Sequence, residues 1–465
     1  MAEKKSSSGK SASGKKKSSG KSSAKTNVNR VVKAAKKYDT SKSFKDNKDA
    51  VAGVVAATAE SAVKAGNKKQ KKFFRVLLVL LIIAIVGIAI FGYFNGWYNT
   101  VIYGEDGFIG GAFNSETYDV SVIKEKELSI HFLELGNKYV GDSVYIKAGD
   151  CDVLIDAGSR QSSAATISEY IDNYVTDGKL EYVIATHAHQ DHIAGFVGTS
   201  KAQGIFEKYK CGTIIDFALT NQNVTTAKGA NTLYGNYLEK RAQAVNNGAK
   251  RYSALDCYNN ANGASRTYAL SDSVEMEVLY NYYYENTTSD ENNYSVCVML
   301  NQTLDSGEVN HYFFSGDLEA EGEAKLVEYY KDELPHCKVY KAGHHGSKTS
   351  SSKALMEKLT PEYVCVCTCA GTSEYTKANE NQFPTQQFID NVAEYTDKVF
   401  VTTMVDFYCD TGWSSKGTVK SMNGNIVFSC NADGEDMMYF SNNSIKLKDT
   451  DWFKEKRICP NAWKD

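Results

Sequence analysis

Three imidazoles and a carboxylate fall within six residues at His187-Ala188-His189-Gln190-Asp191-His192. The run EYVIATH leads into them, so the cluster follows the end of an apolar strand. A loop there can aim residues i and i+2 at one cation and i+4 and i+5 at another. Imidazole and carboxylate are the donors that borderline divalent metals such as zinc prefer, and manganese is compatible with them. A lone surface histidine is more often idle, but an H-x-H-x-D-H string serves no structural need. Two later strands end on further candidates: HYFFSGD stops on Asp317, after Gly316, and CKVYKAGHHGS stops on His344 and His345. Asp317 also precedes a helical stretch and could simply cap it. Beside the six-residue cluster, the metal role is the stronger reading.

The elements that must position these residues are visible as apolar runs. Strand-like segments are LSIHFLEL (128–135), SVYIKA, DVLIDA, EYVIATH, SVEMEVLY, YSVCVMLN, HYFFSGD, CKVYKAG and YVCVCTC. A helix is predicted after Asp317, where Leu326, Val327 and Tyr330 share a face and Glu319, Glu321 and Glu323 occupy the first turns, favoured there by the helix dipole. Others are predicted over 164–174, 234–245, 352–359 and 385–395. Strands separated by helices, with antiparallel pairs at both ends, predict two packed sheets flanked by helices on their outer faces.

At 465 residues the chain is longer than one compact domain needs. Its formal net charge of −3 conceals two opposite parts. Residues 1–75 hold 21 Lys or Arg against 5 Asp or Glu, net +16, leaving 32 basic and 51 acidic residues, net −19, for the rest. The Lys/Ser/Gly-rich tail buries too little apolar surface to fold, and is expected to be disordered and cytoplasmic. Residues 76–94, VLLVLLIIAIVGIAIFGYF, are 19 positions without a charge, which at about 1.5 Å each is roughly one bilayer core. Lys68, Lys69, Lys71, Lys72 and Arg75 precede this predicted transmembrane helix, and Tyr93, Trp97 and Tyr98 lie at its far end. That asymmetry keeps the N-terminus cytoplasmic and sends everything beyond it across the membrane. The expected organisation is therefore a basic tail (1–75), a single membrane helix (76–94), a stalk (95–127) and a globular domain (128–465), anchored in the cell membrane. All eleven cysteines lie in the exported part, an odd number that cannot pair completely within one chain. Cys365, Cys367 and Cys369 alternate and so share one face of a strand, where small buried apolar residues are the simplest reading.

Taken in order, DVLIDAGS, THAHQDHIAG, FFSGD and KAGHHGSKTSS resemble the metallo-β-lactamase superfamily, and the last two look most like the C-terminal domain of ComEC-type competence proteins. The resemblance spans roughly 128–424. It implies an αββα sandwich with one or two divalent ions, zinc above all, at the strand edge. Carried over, His187 and His189 hold the first metal, Asp191, His192 and His344 the second, and Asp317 bridges, while Asp156 in LIDAGS supports the histidine loop from behind. The superfamily's third histidine for the first metal is missing, since no His lies between His192 and His311; Asn292, Asn293 and Ser295 resemble the ComEC-type pattern there. One membrane helix also cannot form a ComEC-type channel.

Such a centre activates a water at neutral pH for attack on phosphorus or carbonyl. Asp191 is expected to orient that water, and His345 is a candidate catalytic neighbour. Ser347, Lys348, Thr349 and Ser350 precede a helix whose N-terminal amides suit an anionic oxygen, which favours a phosphoester over a lactam. The expected enzyme is thus a metal-dependent phosphodiesterase acting on nucleic acid. One alternative is a surface phosphoesterase acting on an envelope polymer, similar to the phosphorylcholine esterases. The other is a non-catalytic surface binding protein on the same fold. Net −19 weighs against a non-specific DNA binder. No protein partner follows from the sequence.

Overall fold

Strand formation follows the burial each segment is offered. Val274–Val278 alternates buried positions with exposed or half-buried ones near a sheet edge, whereas Val399–Val405, paired on both sides and covered on both faces, is buried at all positions. The computed structural model describes residues 115–136, 139–199, 201–405 and 419–464. The predicted tail and membrane helix lie outside these residues. Among the described residues, no helix is long and apolar enough to cross a membrane.

In chain order the strands are β1 (Ser115–Thr117), β2 (Leu128–Phe132), β3 (Val144–Ala148), β4 (Cys151–Ile155), β5 (Lys179–Ala185), β6 (Gly198–Thr199), β7 (Ala202–Gln203), β8 (Lys210–Asp216), β9 (Lys250–Ser253), β10 (Thr267–Ala269), β11 (Val274–Val278), β12 (Val298–Thr303), β13 (Val309–Phe314), β14 (Val339–Lys341), β15 (Tyr363–Ala370), β16 (Val399–Val405), β17 (Val419–Ser421), β18 (Ile426–Cys430) and β19 (Asp436–Phe440). One sheet runs β1-β19-β18-β2-β3-β4-β5-β8-β9 and the other runs β10 through β17 in sequence order, with β6 and β7 a separate hairpin. Both sheets are mixed. β4, β5, β8 and β9 are parallel in the first, and β13 to β16 in the second.

The sheets face each other through aromatic pairs: Phe132 with Phe314, Tyr312 and Tyr363 with Phe428, and Phe400 with Phe440. Each such pair contributes about 0.5–1.5 kcal/mol beyond area burial. The outer face of the first sheet packs on α2 (Ser163–Ile171), α3 (Gln190–Val197) and α5 (Leu233–Asn246), with α1 (Val120–Lys124) and α4 (Ile205–Lys208) beside them. The outer face of the second packs on α7 (Ala320–Tyr330), α8 (Lys353–Leu359), α9 (Gln386–Ala393) and α10 (Asp451–Lys456), which follow the short α6 (Ala254–Tyr258) in the chain.

Two expectations are corrected. The end of the predicted stalk belongs to the domain: β1 pairs with β19, and α1 buries Ile123 completely. The histidine cluster is not a loop throughout, because Asp191 and His192 lie in the first turn of α3. The alternating cysteines of β15 are buried and, like the other described cysteines, unpaired.

Candidate metal centre

The parallel strands of both sheets end at one edge, the side on which open α/β sheets place their ligands. β4 ends on Asp156, held at φ 59°. Its carboxylate accepts hydrogen bonds from Thr186 N (2.8 Å) and Thr186 Oγ1 (2.7 Å), which fixes the end of β5 where the histidine loop begins. Glu291 takes Ala188 N from the other side (3.3 Å). α3 then lies so close to Ala157 that a side chain at Gly195 would meet the Ala157 carbonyl. On the second sheet, β13 leads through Gly316 (φ 53°), where a Cβ would press on Thr186 and Ser295, into Asp317. β14 leads to His344 and His345, consecutive residues in the left-handed region at φ 43° and 55°. Such strain is retained where the surroundings over-determine it, and it clusters at functional sites.

His192 Nε2 and His345 Nε2 each lie 3.1 Å from Asp317 Oδ2, and His344 Nε2 lies 3.9 Å from the same oxygen. Asp191 Oδ2 is 3.4 Å from His345 Nε2 and accepts a hydrogen bond from the Tyr375 hydroxyl (2.7 Å). His187 Nε2 and His189 Nδ1 form their own pair, 3.1 Å apart. Each convergent ring is held from behind. His192 Nδ1 meets Asp156 (2.7 Å), His345 Nδ1 meets Asp142 and the Cys367 carbonyl (3.0 Å each), and His344 Nδ1 meets Glu319 (3.2 Å) and Thr349 Oγ1 (3.0 Å). Asp142, with His192, His345 and Asp317, makes up a cluster of four mutually close groups, but it faces the Nδ1 side of the rings and is ion-paired with the buried Lys341. It orients histidines and does not join them as a ligand.

His192 Nε2, His345 Nε2 and Asp317 Oδ1 are buried without a hydrogen bond. The two orphaned ring nitrogens converge on the other carboxylate oxygen, Oδ2, an arrangement that a cation satisfies, and this nitrogen and oxygen chemistry fits zinc or manganese. Electrostatics agree. Burial disfavours charge on His192 and His345, yet Asp317 together with Asp156 or Asp142 outweighs it and raises both pKa values well above the ordinary one. Burial likewise opposes ionisation of Asp317, but His192, His345 and His344 hold it well below the carboxylate range. His187 is lowered, chiefly by burial.

The structure reverses two expectations about neighbouring histidines. His345, read as the catalytic neighbour, is the buried ring facing Asp191 and Asp317. His344, read as a ligand of the second metal, stands apart from that group, partly exposed. The anion site predicted at the helix after Lys348 is also corrected: Glu323 fills that turn from inside, accepting from Ser351 N (2.6 Å) and Ser352 N (2.7 Å), and Lys348 turns to Asn381. Asp142, Lys341, Glu319 and Tyr375 were not foreseen. They come from an isolated loop acid, a buried strand lysine, a helix-start acid and a remote loop, none of which carries a spacing signal. A cavity of about 590 Å³ opens over the centre, lined by His189, Asp191, Asn292, Asp317 and His344, with Arg160, Glu374, Tyr375 and Phe383 at its sides.

Residues 136–205 match the family model described as the metallo-beta-lactamase superfamily. That segment is similar to the metallo-beta-lactamase superfamily. The matched segment contains Asp142, Asp156, His187, His189, Asp191 and His192, while Asp317, His344 and His345 lie beyond it and are joined to it by the fold. This similarity and the candidate ligand cluster together support a metal-dependent hydrolase. Similar solved structures include the metallo-beta-lactamase SMB-1 bound to 2-mercaptoethanesulfonate, at 14% identity over 49% of this chain and 82% of that one, with a TM-score of 0.27. MEM-A1, a subclass B3 metallo-beta-lactamase from a soil metagenome library, gives 13% identity, 49% and 79% coverage and a TM-score of 0.28. MIM-1 from Novosphingobium pentaromativorans gives 11%, 56% and 87%, and 0.27. No curated protein matches the sequence.

Proposed function

We propose that this hydrolase is a membrane-anchored phosphodiesterase, its domain held outside the cytoplasmic membrane and related most nearly to the ComEC-type competence domain. The observation that carries the reading is the convergence of His192, His345 and Asp191 on Asp317 at the floor of a cavity bearing one arginine. Asp191, His192, His345 and Asp317 would hold one divalent cation, and His187, His189 and Asp317 a second. Cations held there supply Lewis acidity and an activated water.

The chain's own groups do the rest. Asp191 orients the attacking water through the oxygen that Tyr375 already contacts. Burial and the Asp191 carboxylate raise the Tyr375 pKa, so its hydroxyl stays a donor through neutral pH. Arg160, stacked on Tyr139 and paired with Glu374 (2.9 Å), stands at the cavity wall, where its cation faces the approach of an anionic ester. A single arginine in an acidic domain suits one phosphodiester at a time better than a long polyanion. A second reading, an envelope phosphoester with a cationic head group, is favoured by Tyr375, Phe383 and Glu374 on one wall, since aromatic faces beside an acid attract quaternary ammonium groups.

The purified full chain should be assayed with divalent metal against bis-p-nitrophenyl phosphate, single-stranded DNA, a phosphorylcholine ester and nitrocefin. Metal-dependent cleavage of the first two is expected. Cleavage of nitrocefin alone would sink the phosphodiesterase reading, and preference for the choline ester would transfer it to the second reading.

A further inference from the structure

The His187–His189 pair has no third histidine in the segment where one is expected, and the structure indicates what stands in its place. Asn292 is 6% exposed and lines the cavity with His189, Asp317 and His344. Its Nδ2 donates to Glu319 Oε1 (3.2 Å), which settles the amide orientation and leaves Oδ1 buried with no partner. The same Glu319 oxygen holds His344 Nδ1 (3.2 Å), and Thr349 Oγ1 donates to it as well (2.9 Å). His344 Nε2 is thereby turned to the cavity, 3.9 Å from Asp317 Oδ2.

We propose that Asn292 Oδ1 and His344 Nε2, both aimed by Glu319, complete the first cation site with His187, His189 and the bridging Asp317. The arrangement repeats the device of the other site, where Asp156 aims His192 and Asp142 aims His345. A carboxylate behind a ligand fixes its orientation and raises its basicity. It also accounts for the paired histidines of KAGHHGS: both rings reach Asp317 Oδ2, but His345 is held from behind by Asp142 and His344 by Glu319, one for each cation. An amide oxygen in place of an imidazole is harder and adds no charge, so this site should be weaker than its neighbour and accept manganese more readily.

The test counts metal and does not depend on turnover. Metal-free full chain is titrated with Mn²⁺ or Zn²⁺, and bound metal is measured by equilibrium dialysis and mass spectrometry, with circular dichroism confirming the fold of each variant. Wild type should bind two cations of unequal affinity. His344→Ala and Asn292→Ala should keep the tight cation and lose the weak one. Glu319→Gln should weaken the weak one by about 10–100-fold, and His345→Ala should instead lose the tight one. His344→Gln, which keeps the bulk of the ring, supplies a second variant should His344→Ala unfold. The proposal is overturned if wild type binds one cation at saturation, if His344→Ala removes the tight cation, or if both His344→Ala and Asn292→Ala bind two at wild-type affinity. It takes its setting from the hydrolase reading. Failure to cleave any phosphoester while two cations are bound would defeat that reading and leave this one standing.

Discussion

Asp317 sits between three histidines on one oxygen and Lys341, 3.7 Å away, on the other, so its charge is shared by every group around it. Asp317→Asn keeps the shape and removes the charge. It should lose both cations and lower turnover by more than about 100-fold, because even orienting residues behind a ligand cost 10–100-fold. His187→Ala should spare the cation beside His345 while removing most turnover. Metal content measured beside rates on an activated phosphodiester checks both, and full metal with full activity in Asp317→Asn would reduce Asp317 to a helix cap. The cluster from His187 to His192 stood out because four candidate ligand residues within six positions have no evident structural use. Which of His344 and His345 turns inward was not legible, since it depends on two left-handed dihedrals that no spacing rule reports. Nor was Asp142, which acts through a ring from a strand away.

The nine apolar runs read as strands are all strands, and the five predicted helices are present within a few residues of their expected ends. What escaped were elements whose partners lie far off in sequence. β16, VFVTTMV, carries two threonines that are buried only because the strands on either side, parallel β15 and antiparallel β17, and the packing on its faces enclose them, and β18 and β19 return across the sandwich to pair with β2 and with β1. α7 contributes a further effect. Glu323 is buried against the turn before α8, and burial raises its pKa to about 7 despite the amides it accepts. Because the folded value lies above the ordinary 4.5, the folded domain keeps a proton that the unfolded chain has shed between those pH values. Stability should therefore fall as pH rises from about 4.5 to 7 and level off beyond, by at most about 3 kcal/mol. Glu323→Gln, which mimics the protonated acid, should flatten that part of the melting-temperature profile. An unchanged slope would assign it to other groups.

At the scale of the whole chain, the basic tail of net +16 and the acidic remainder of net −19 make separate demands on surroundings. If the lysines before residue 76 stay cytoplasmic, protease added to intact cells should remove the domain beyond Trp97, and survival of the domain until lysis would overturn that topology. The same charge division bears on substrate. A protein that grips nucleic acid along its surface neutralises many phosphates, and its affinity for single strands falls with salt at a slope of roughly −0.7 per phosphate contacted. Here Arg160 is the cation lining the cavity, and it is already paired with Glu374. If single-stranded DNA is the substrate, contact should be confined to the one or two phosphates at the centre and the logarithmic slope should be shallow, about −0.7 to −1.4. Binding of a labelled oligonucleotide to the metal-loaded chain across a salt series measures it. A slope steeper than about −4 would mean six or more phosphates contacted, and would place the binding surface on a basic face outside this cavity.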